Sequence, residues 1–466
     1  MRVVFATAEL APLVRVGGLA EAAGGLVRAL RKLGADVDVV LPDYFATPLG
    51  DEVVQELDVP RWVGTTLART GNLDGFGAVT LVRFPGVERP HAYVEPQSGQ
   101  GWPDNDQRFF GFSAAVAAIA EQNGADILHA NDWHTSAALA FVRPGLPTVL
   151  SIHNLAYQGV SDGSWLERFG LFDDPRYPAY EFFGQVNPLA GALEIADRIV
   201  AVSPHYAVEI TEAANGFGLE GLLIGRGNAV IGILNGIDSE EWNPKTDSMI
   251  PVNFDKPVSK GKAQCRADLL AELGLDGSGK GPVIGVVTRL VEQKGVDLML
   301  DAIQYLSSLD ARLVVLGAGD PDLAVELRTR QVASPTTIAF HDGYDLGLAH
   351  RIFAGSDLYL MPSRFEPCGL AQMQAMAYGT IPVTTSVGGL VDTVIDADSD
   401  PSGGNGFRSP HNSGAGLVDA LHRATNAWQS ASRRRRIVTN GMTHDWSWTE
   451  PAKHYLAVYE ELIRTR

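Results

Sequence analysis

Short, mostly apolar runs alternate along this chain with longer stretches in which apolar residues recur every three or four positions. The first fifty residues show the pattern, with apolar runs at residues 3–6 and 37–41 on either side of a helical periodicity at residues 19–33. Strands that are apolar at every position are buried on both faces, and the helices between them provide the cover. The pattern therefore predicts an α/β fold built on parallel sheets.

The alternation falls into two series of similar length. The first series continues with apolar runs at residues 127–128, 148–152, 199–202 and 230–234, and the second has them at 283–287, 313–316, 337–340, 358–361 and 381–383. Turn-rich stretches without periodicity, residues 242–247 and 256–262, separate the two series. We therefore expect two doubly wound domains, residues 1–245 and residues 246–445.

Polar or glycine-flanked residues follow four of the apolar runs in the first domain. They are Asn131 to His134, His153 with Asn154, Ser203 with Pro204, and Asn235 with Gly236. Open parallel sheets bind their ligands at the carboxyl ends of the strands. We therefore expect these four segments to face one cleft.

Charge and cysteine content narrow the class of protein. The 466 residues include 37 Lys and Arg against 55 Asp and Glu, a net charge of −18. A chain this acidic is repelled by phosphate backbones and anionic lipid, so we expect neither a nucleic acid nor a membrane partner, whereas a neutral sugar polymer meets no such barrier. The two cysteines, Cys265 and Cys368, exclude a disulfide scaffold and favour a reducing compartment, and no targeting or membrane-spanning segment is visible. We expect a cytoplasmic protein.

Two cations and a carboxylate follow apolar runs of the second domain. Arg289 and Lys294 lie between a strand and a helix, where a guanidinium fork, an ammonium group and a helix N-terminus favour a diphosphate clamp over two solvated cations. Glu366, in the segment PSRFEPCGL, can bind sugar hydroxyls or balance positive charge, and the amides of Gly369 and Leu370 point toward an anion. Cys368 has no base beside it in the sequence, so we interpret it as a packed thiol rather than a nucleophile.

Three other patterns are less specific. His129, Asp132 and His134 have only a weak metal-ligand spacing, and His153 is as much a structural histidine as a contact for a sugar hydroxyl. Gly317-Ala-Gly319 follows a strand, but Asp320 and the missing third glycine disfavour a nicotinamide dehydrogenase. The basic run at residues 433–436 is typical of a solvated helix face rather than a binding patch.

The order of these motifs resembles the bacterial glycogen synthase and plant starch synthase family, glycosyltransferase family five. The matching segments, which cover nearly the whole chain, are GGL at 17–19, HNLAYQG at 153–159, GQ at 184–185, VSP at 202–204, LNGID at 234–238, WNP at 242–244, TRL at 288–290, QKG at 293–295, GYD at 343–345, PSRFEPCGL at 362–370 and GGL at 388–390. Each segment is weak alone, but their joint order is specific.

The resemblance implies the GT-B architecture, in which two Rossmann-like domains face a deep cleft. Residues 1–245 would form the acceptor side, residues 246–445 the nucleotide-sugar donor side, and residues 446–466 a helix crossing back to the first domain. The implied activity is retaining transfer of glucose from ADP-glucose to the non-reducing 4-OH of an α-1,4-glucan, without a metal or other cofactor. We expect a front-face displacement, in which the leaving phosphate deprotonates the acceptor.

The resemblance also implies a role for each matching residue. Arg289 and Lys294 would hold the departing diphosphate, while Glu366, with the amides of Gly369 and Leu370 beside it, would contact the donor glucose. The remaining implied roles are a glucose hydroxyl contact for His153 and Asn235, an acceptor-side position for Asp132 and Asn154, stacking on the base for Tyr344, and a donor contact for Arg15 beside Gly18.

The chain departs from the family pattern around donor and acceptor. Arg15 replaces a lysine, and Ala190, Ala371, Thr385 and Val387 stand where the family has Lys, Thr, Arg and Thr. These departures keep open a related retaining transferase that uses UDP-glucose or a non-glucan acceptor. A catalytically silent glucan- or nucleotide-binding protein is a third hypothesis, and a phosphorylase lacks an assignable lysine for pyridoxal phosphate. The sequence indicates no particular oligomeric state.

Overall fold

The computed structural model describes residues 1–170, 176–257 and 259–465. The chain packs as two compact units, one formed by Met1–Gly236 with Trp448–Arg466 and the other by Ile237–Ser447. The change of unit after Gly236 precedes the turn-rich stretch in which the sequence predicts a boundary. None of the helices within the described ranges is both long and apolar enough to span a membrane.

A nine-stranded sheet forms the core of the first unit, in the order β12-β11-β7-β6-β1-β2-β5-β4-β3. The strands of this unit are β1 Arg2–Ala6, β2 Asp36–Pro42, β3 Gly50–Glu56, β4 Leu67–Leu73, β5 Gly77–Arg83, β6 Ile127–Asn131, β7 Thr148–Ile152, β8 Ser161–Asp162, β9 Glu181–Phe182, β10 Gln185–Val186, β11 Arg198–Ala201 and β12 Val230–Gly232. Strands β12 to β2 of this order are parallel, as predicted, and β5, which was not predicted, pairs with β2 in parallel. The antiparallel edge strands β3 and β4 were not predicted, and β8 to β10 form a separate small sheet.

Helices cover both faces of this sheet. They are α1 Gly18–Lys32, α2 Asn105–Gln122, α3 Trp133–Ser136, α4 Ala138–Phe141, α5 Trp165–Arg168, α6 Tyr177–Tyr180, α7 Pro188–Ile195, α8 Pro204–Glu209 and α9 Glu220–Arg226, with a 3₁₀ turn at Gly227–Ala229. Helix α1 shows how the sequence sets the bounds of a helix: an extended Gly17 precedes it, Leu19, Leu26 and Leu30 are buried, and Gly34 follows at φ = 90°. The predicted helix at 19–33 is confirmed within one residue.

The second unit contains a six-stranded parallel sheet in the order β15-β14-β13-β16-β17-β18. Its strands are β13 Val283–Val287, β14 Arg312–Gly317, β15 Ile338–Asp342, β16 Leu358–Met361, β17 Ile381–Thr384 and β18 Phe407–Arg408. Its helices are α10 Lys260–Glu272, α11 Val296–Ile303, α12 Pro321–Ala333, α13 Leu346–Gly355, α14 Ala371–Ala377, α15 Gly388–Thr393, α16 Gly414–Gln429 and α17 Ala431–Thr443, with a 3₁₀ turn at Glu292–Lys294.

Both sheets reverse their strand order at one point. In the first unit the order runs outward in opposite directions from the β1–β6 pair, and in the second unit from the β13–β16 pair. Such reversals leave a crevice at the carboxyl ends of the two strands, where doubly wound proteins bind ligands. The structure therefore points to the loops after β1, β6, β13 and β16 as site-forming segments.

The last helix, α18 Thr449–Arg464, belongs to the first unit. The buried Tyr459 places its hydroxyl 2.6 Å from His129 Nδ1 on β6, across 330 residues of sequence. The indole of Trp448 lies so close to Gly25 of α1 that a Cβ at position 25 would stand 2.0 Å from its Nε1. A side chain other than hydrogen at position 25 would displace the indole.

Candidate functional site

The carboxyl ends of β6 and β7 carry three of the predicted site residues. Asp132 follows β6 directly, and His153 and Asn154 follow β7. Asp132 Oδ1 accepts hydrogen bonds from the backbone N–H of His153, at 2.7 Å, and from that of Asn154, at 3.3 Å. The structure therefore brings these three residues together, and the Asp132 carboxyl group holds the turn that follows β7.

The imidazole of His153 is oriented by Asn131. Asn131 Nδ2 donates to the carbonyl oxygen of Ala6 at 2.9 Å, so Asn131 Oδ1, which lies 2.9 Å from His153 Nε2, is the acceptor and Nε2 carries the hydrogen. Burial lowers the pKa of His153 to about 3, so the ring is neutral at pH 7. The remaining ring nitrogen, Nδ1, is then an acceptor suited to a substrate hydroxyl.

Asp132 occupies an unusual backbone conformation. Its φ is 54°, a left-handed value that few non-glycine residues adopt, and the residue is 7% exposed. Burial raises the pKa of the Asp132 carboxyl group to about 7, although the amide hydrogen bonds from His153 and Asn154 act in the opposite direction, and the charge of Glu9 adds to the rise. Conformational strain of this kind accumulates at functional sites.

Asn235, which follows β12, has a buried side-chain oxygen without a hydrogen-bond donor among the described residues. The residue is 5% exposed and its backbone N–H donates to Val202 O at 3.2 Å. Within residues 1–170, 176–257 and 259–465, no group donates a hydrogen bond to Asn235 Oδ1. A buried acceptor without a donor costs free energy, so a ligand hydroxyl that donated to it would remove that cost.

Arg15 and Gly18 lie at the start of α1. Arg15 forms an ion pair with Glu21, with 3.2 Å between its Nη1 and Glu21 Oε1, and Gly18 is the first residue of the helix. No described residue has a heavy atom within 4 Å of a Cβ built on Gly18, apart from its chain neighbours and its own helix backbone. The guanidinium group of Arg15 is thus held against the first turn of α1, which follows it in the chain.

Sequence reasoning missed Glu9 and Tyr93. Glu9 is 5% exposed in the loop after β1, and its Oε2 accepts from the N–H groups of Val16, at 2.9 Å, and Gly17, at 2.7 Å. The hydroxyl of Tyr93 donates to Glu9 Oε1 at 2.8 Å. The position of Glu9 after the first apolar run was a signal that could have indicated it.

The histidines of the weak metal motif make separate contacts. His129 lies between Tyr459 and Ser151, whose hydroxyls are 2.6 and 2.7 Å from its two ring nitrogens. The ring of His134 packs against Trp133, with a centroid distance of 4.4 Å, while Asp132 bonds to amides. In the part of the chain that the structure describes, no three His, Cys, Asp or Glu side chains are grouped so that they could hold a metal ion.

In the second unit, Lys294 and Glu366 meet at the β13–β16 reversal. Lys294 Nζ donates to Glu366 Oε2 at 2.6 Å, and the hydroxyl of Ser363 donates to the same oxygen at 2.9 Å. The side chains of Lys294 and Glu366 are 17% and 7% exposed. The ammonium group predicted to face a diphosphate is therefore paired with the carboxylate predicted to face a sugar, and Ser363 is a further contact that sequence reasoning missed.

Gly295 allows the two loops to approach each other. It has a φ of 62°, and a Cβ at this position would lie 1.9 Å from the carbonyl oxygen of Pro362. Only glycine fits both the left-handed conformation and the contact. The close approach of the loop after β13 to the loop after β16 is what brings Lys294 within reach of Glu366.

Arg289 differs from Lys294 in its surroundings. It follows β13 and is exposed, and among the described residues its guanidinium group has no hydrogen-bond or ion-pair partner. The structure thus places one paired and one unpaired cation in the same loop. An arginine without a protein acceptor has all five N–H groups available for an anion.

Gly369, Leu370 and Tyr344 complete the predicted set. Gly369 has a φ of 71° and Leu370 immediately precedes α14, and no acceptor in the described ranges pairs with their backbone N–H groups. Tyr344 follows β15 and is 77% exposed. Cys368 is buried, in keeping with its interpretation as a packed thiol.

Known proteins resemble this chain over its full length. The model for starch synthase catalytic domains matches residues 2–225, and that for glycosyl transferases group 1 matches residues 275–443. The glycogen synthase of Halorhodospira halophila is 42% identical, with 100% of each chain covered, and that of Alkalilimnicola ehrlichii is 41% identical, with 98% of each covered. The chain belongs to the glycogen synthase and starch synthase family. It is a glycosyltransferase, as the motif order predicted.

Solved structures of related enzymes have the same fold. The catalytic domain of starch synthase IV from Arabidopsis thaliana, solved with ADP and acarbose, is 32% identical and covers 99% of each chain with a TM-score of 0.89. Sucrose-phosphate synthase from Thermosynechococcus elongatus, at 18% identity, has a TM-score of 0.64 and shows the fold alone. These matches confirm the predicted α/β class and GT-B architecture for this family member.

Proposed function

We propose that this chain transfers glucose from ADP-glucose to the non-reducing 4-OH of an α-1,4-glucan, with retention of configuration. The observation that carries the proposal is the group at the β13–β16 reversal, where the unpaired Arg289 shares a loop with the Lys294–Glu366 pair. A cation without a protein partner and a buried, oriented carboxylate are what a nucleotide diphosphate sugar requires. The relative from Arabidopsis thaliana, solved with ADP and acarbose, supports this choice of donor and acceptor class.

On the donor side, Arg289 and Lys294 neutralise the charge that develops on the departing diphosphate. Lys294 is held by Glu366 at 2.6 Å, so its ammonium group is already oriented before the donor arrives. Glu366 contacts hydroxyls of the donor glucose, and the N–H groups of Gly369 and Leu370 bind diphosphate oxygens. Tyr344, exposed after β15, stacks on the adenine.

The first unit supplies neutral hydrogen-bonding groups for the glucose. His153 accepts a hydroxyl hydrogen at Nδ1 because Asn131 occupies its Nε2 hydrogen. Asn235 offers an acceptor that nothing else in the described chain uses. Neutral groups suit a sugar, which carries no charge in the ground state. Asp132 and Asn154 lie on the acceptor side, and Arg15 with Gly18 on the donor side.

The chemical step is a front-face displacement. The bond between glucose C1 and the leaving phosphate oxygen breaks with its electrons going to ADP, and the acceptor O4 forms a new bond to C1 on the same face. The hydrogen of the 4-OH passes to the leaving phosphate. No side chain is consumed, which agrees with an Lys294–Glu366 pair that orients and neutralises rather than attacks.

Initial rates with two donors test the proposal. ADP-glucose and UDP-glucose are each compared with glycogen, maltose and no acceptor, and the product is digested with an α-1,4-specific hydrolase. We expect glucan elongation with ADP-glucose that depends on acceptor. Elongation with UDP-glucose but not with ADP-glucose would show that the donor is UDP-glucose. Transfer to an acceptor other than a glucan would show that the acceptor is different. If glucose were transferred from neither donor, the proposed function would be refuted.

The location and cofactor needs of the enzyme are part of the proposal. Cys265 and Cys368 are buried free thiols, which supports a cytoplasmic location. We propose that transfer needs no metal, and full activity in excess EDTA is the expected result. Loss of activity in EDTA that returned with Mg²⁺ would contradict it.

A further inference from the structure

A basic pocket lies at the end of the second sheet opposite to Arg289 and Glu366. Its lining residues include Lys280, which precedes β13, Asp357, which precedes β16, and Gly379, which precedes β17. These positions are at the amino ends of the strands, whereas the donor-side residues follow their carboxyl ends. The pocket has a volume of about 440 Å³ and is formed entirely within the second unit.

The pocket concentrates positive charge in an acidic chain. Arg266, Lys280 and Arg434 line it together with Lys262, whose pKa burial lowers to about 7, and Asp357 supplies the one carboxylate among the described lining residues. The whole chain has a net charge of −18, so a surface with this excess of cations is contrary to its average. A pocket that concentrates one sign of charge attracts small ions of the opposite sign.

Three of the four cations are anchored, yet each keeps N–H groups to spare. Lys262 Nζ donates to Thr380 Oγ1 at 2.6 Å and to a backbone carbonyl at 3.1 Å. Arg266 Nε donates to Asp357 Oδ2 at 2.8 Å, and Arg434 Nη1 donates to the carbonyl oxygen of Trp428 at 3.1 Å. Because an ammonium group has three donors and a guanidinium group has five, these anchors fix the side chains without exhausting them.

The first turn of α10 faces the same pocket. Ser259 and Lys262 line it, and Ser259 Oγ accepts from the Lys262 N–H at 3.1 Å as the cap of a 13-residue helix. In the described ranges no acceptor pairs with the N–H groups of residues 260 and 261. Free N–H groups at a helix start, next to fixed cations, form an environment for phosphate oxygens.

The indole of Trp428 gives the pocket an apolar side. The guanidinium carbon of Arg434 lies 5.3 Å from the centre of the Trp428 ring, so the aromatic face and the cation are adjacent. An inorganic phosphate would leave much of a 440 Å³ cavity and this ring unused. We propose that the pocket binds a small phosphate ester, its phosphate held by Lys262, Arg266, Lys280 and Arg434 and its carbon skeleton, such as a sugar ring, against Trp428.

This site gives a role to one residue of the basic run at 433–436. Arg434 lines the pocket, Arg433 pairs with Asp398, and Arg435 and Arg436 are exposed and outside the lining. The run is therefore not uniform: one side chain of the four is turned into a site. That difference supplies a matched control on the same helix.

Calorimetric titration of the full chain tests the proposal. All proteins carry Arg289→Ala, which removes the guanidinium that we assign to the donor diphosphate, and the probes are glucose 1-phosphate, inorganic phosphate and glucose. We expect one site for glucose 1-phosphate, weaker binding of inorganic phosphate and none of glucose. Adding Lys280→Gln with Arg434→Gln should weaken glucose 1-phosphate at least about tenfold, since two charge-assisted hydrogen bonds are lost.

The control and a milder variant keep the test decisive. Arg435→Gln with Arg436→Gln changes the net charge by the same amount as the pocket variant. It should leave the affinity for glucose 1-phosphate within about twofold, which is less than the loss of one hydrogen bond would cause. Lys280→Gln alone alters an exposed side chain that has no hydrogen-bond or ion-pair partner among the described residues, and it should weaken binding several-fold. Equal losses in the pocket and control variants, tighter binding of inorganic phosphate than of the ester, or no binding at millimolar concentrations would overturn the proposal.

Discussion

Each of the two units has a sheet whose strand order reverses at one parallel pair, but the side chains at the two reversals differ in their chemistry. In the first unit the loops after β6 and β7 hold a network of neutral or amide-bonded groups, among them His153 and Asp132. In the second unit the loops after β13 and β16 hold formal ions, with Lys294 and Glu366 in contact at 2.6 Å. The same kind of strand reversal thus places neutral groups in one unit and formal ions in the other.

The difference matches what each part of a nucleotide sugar needs. A glucose unit is neutral and is best read by fixed acceptors and donors, whereas a diphosphate needs cations. The sheets only place the loops, and the side chains of these loops decide what is bound. We call the loops after β6, β7 and β12 of the first unit the neutral half, and the loops after β13, β15 and β16 of the second unit the ionic half. The following predictions test this division, starting with the largest expected effect.

Replacing Glu366 should break the ionic half most severely. Glu366→Ala leaves the Lys294 ammonium, 17% exposed, without its partner and removes the carboxylate proposed to contact the donor glucose. We expect kcat with ADP-glucose and glycogen to fall roughly 10²–10³-fold, the usual loss for one preorganised electrostatic group. Steady-state kinetics measures it.

Two variants show what the carboxylate does. Glu366→Gln still accepts hydrogen bonds from Lys294 and Ser363, so a partial recovery would assign part of the effect to orientation rather than charge. Glu326→Ala, which breaks the exposed pair with Arg330 on α12, should leave kcat unchanged. Near-normal turnover in Glu366→Ala would remove Glu366 from its role.

Arg289 should matter for catalysis without mattering for the fold. Its guanidinium is exposed and makes no hydrogen bond within the described chain, so Arg289→Ala removes no internal contact. We expect kcat/KM for ADP-glucose to fall about 10²-fold, with an unchanged unfolding temperature. Arg435→Ala, an exposed arginine on α17, is the control. A loss of stability that paralleled the loss of activity would show that Arg289 is structural.

The ionic half also shows what sequence could and could not predict. The strands, helix α1 and the expectation that chemistry follows strand ends came from periodicity and turn residues, which are local signals. The Lys294–Glu366 contact joins residues 72 apart, and it depends on Gly295 meeting Pro362. Nothing local marks such a pairing, although the polar ends of two apolar runs indicated its neighbourhood.

The neutral half shows the same limit. His153 and Asn235 were named from their positions after strands, but the orientation of His153 by Asn131 and the unpaired oxygen of Asn235 follow from packing. Strands β3, β4 and β5 were not predicted, and only for β3 is the reason its exposure along its whole length. Burial, which apolar periodicity indicates, is absent in β3, whereas the buried Val79, Leu81 and Val82 of β5 were a signal that sequence reasoning missed.

Acid should destabilise the neutral half. Burial lowers the pKa of His129, His134 and His153 to about 3, whereas burial raises that of Asp132 to about 7. Near pH 5.5–6 the unfolded chain therefore gains protons on three histidines, and the folded chain holds one on Asp132. The net difference of roughly one and a half protons makes these groups lower the free energy of unfolding by roughly 2 kcal/mol for each unit that the pH falls.

Urea unfolding at several pH values between 5.5 and 7 measures this slope. The contribution of the histidines is fully present above pH 6.5 and is lost as the pH falls below it, while that of Asp132 has the opposite sign. His129→Gln removes one titrating group and should reduce the slope near pH 5.5–6 by about 1 kcal/mol per pH unit. An unchanged slope in that variant would show that His129 is not held neutral in the folded chain.

Asn235 should separate stability from activity. Its buried Oδ1 has no donor in the described structure, so Asn235→Leu removes an unpaired acceptor and should keep or raise the unfolding temperature. The same change deletes the proposed glucose contact, and we expect kcat/KM to fall about tenfold. Calorimetry measures the unfolding temperature and steady-state kinetics measures kcat/KM on the same preparation. A variant that lost stability and kept activity would reverse the assignment.

Replacing Tyr344 should have the smallest effect, and it tests whether the ionic half extends to the adenine of the donor. It is 77% exposed, so Tyr344→Ala costs no buried contact. If the ring stacks on adenine, its loss should raise KM for ADP-glucose about fivefold and leave kcat unchanged, because stacking on a base is worth about 1 kcal/mol at an exposed site. Tyr344→Phe keeps the ring and should behave as the parent enzyme. A fall in kcat with unchanged KM would mean that the residue acts on the reacting glucose, and the base would then need another contact in the second unit.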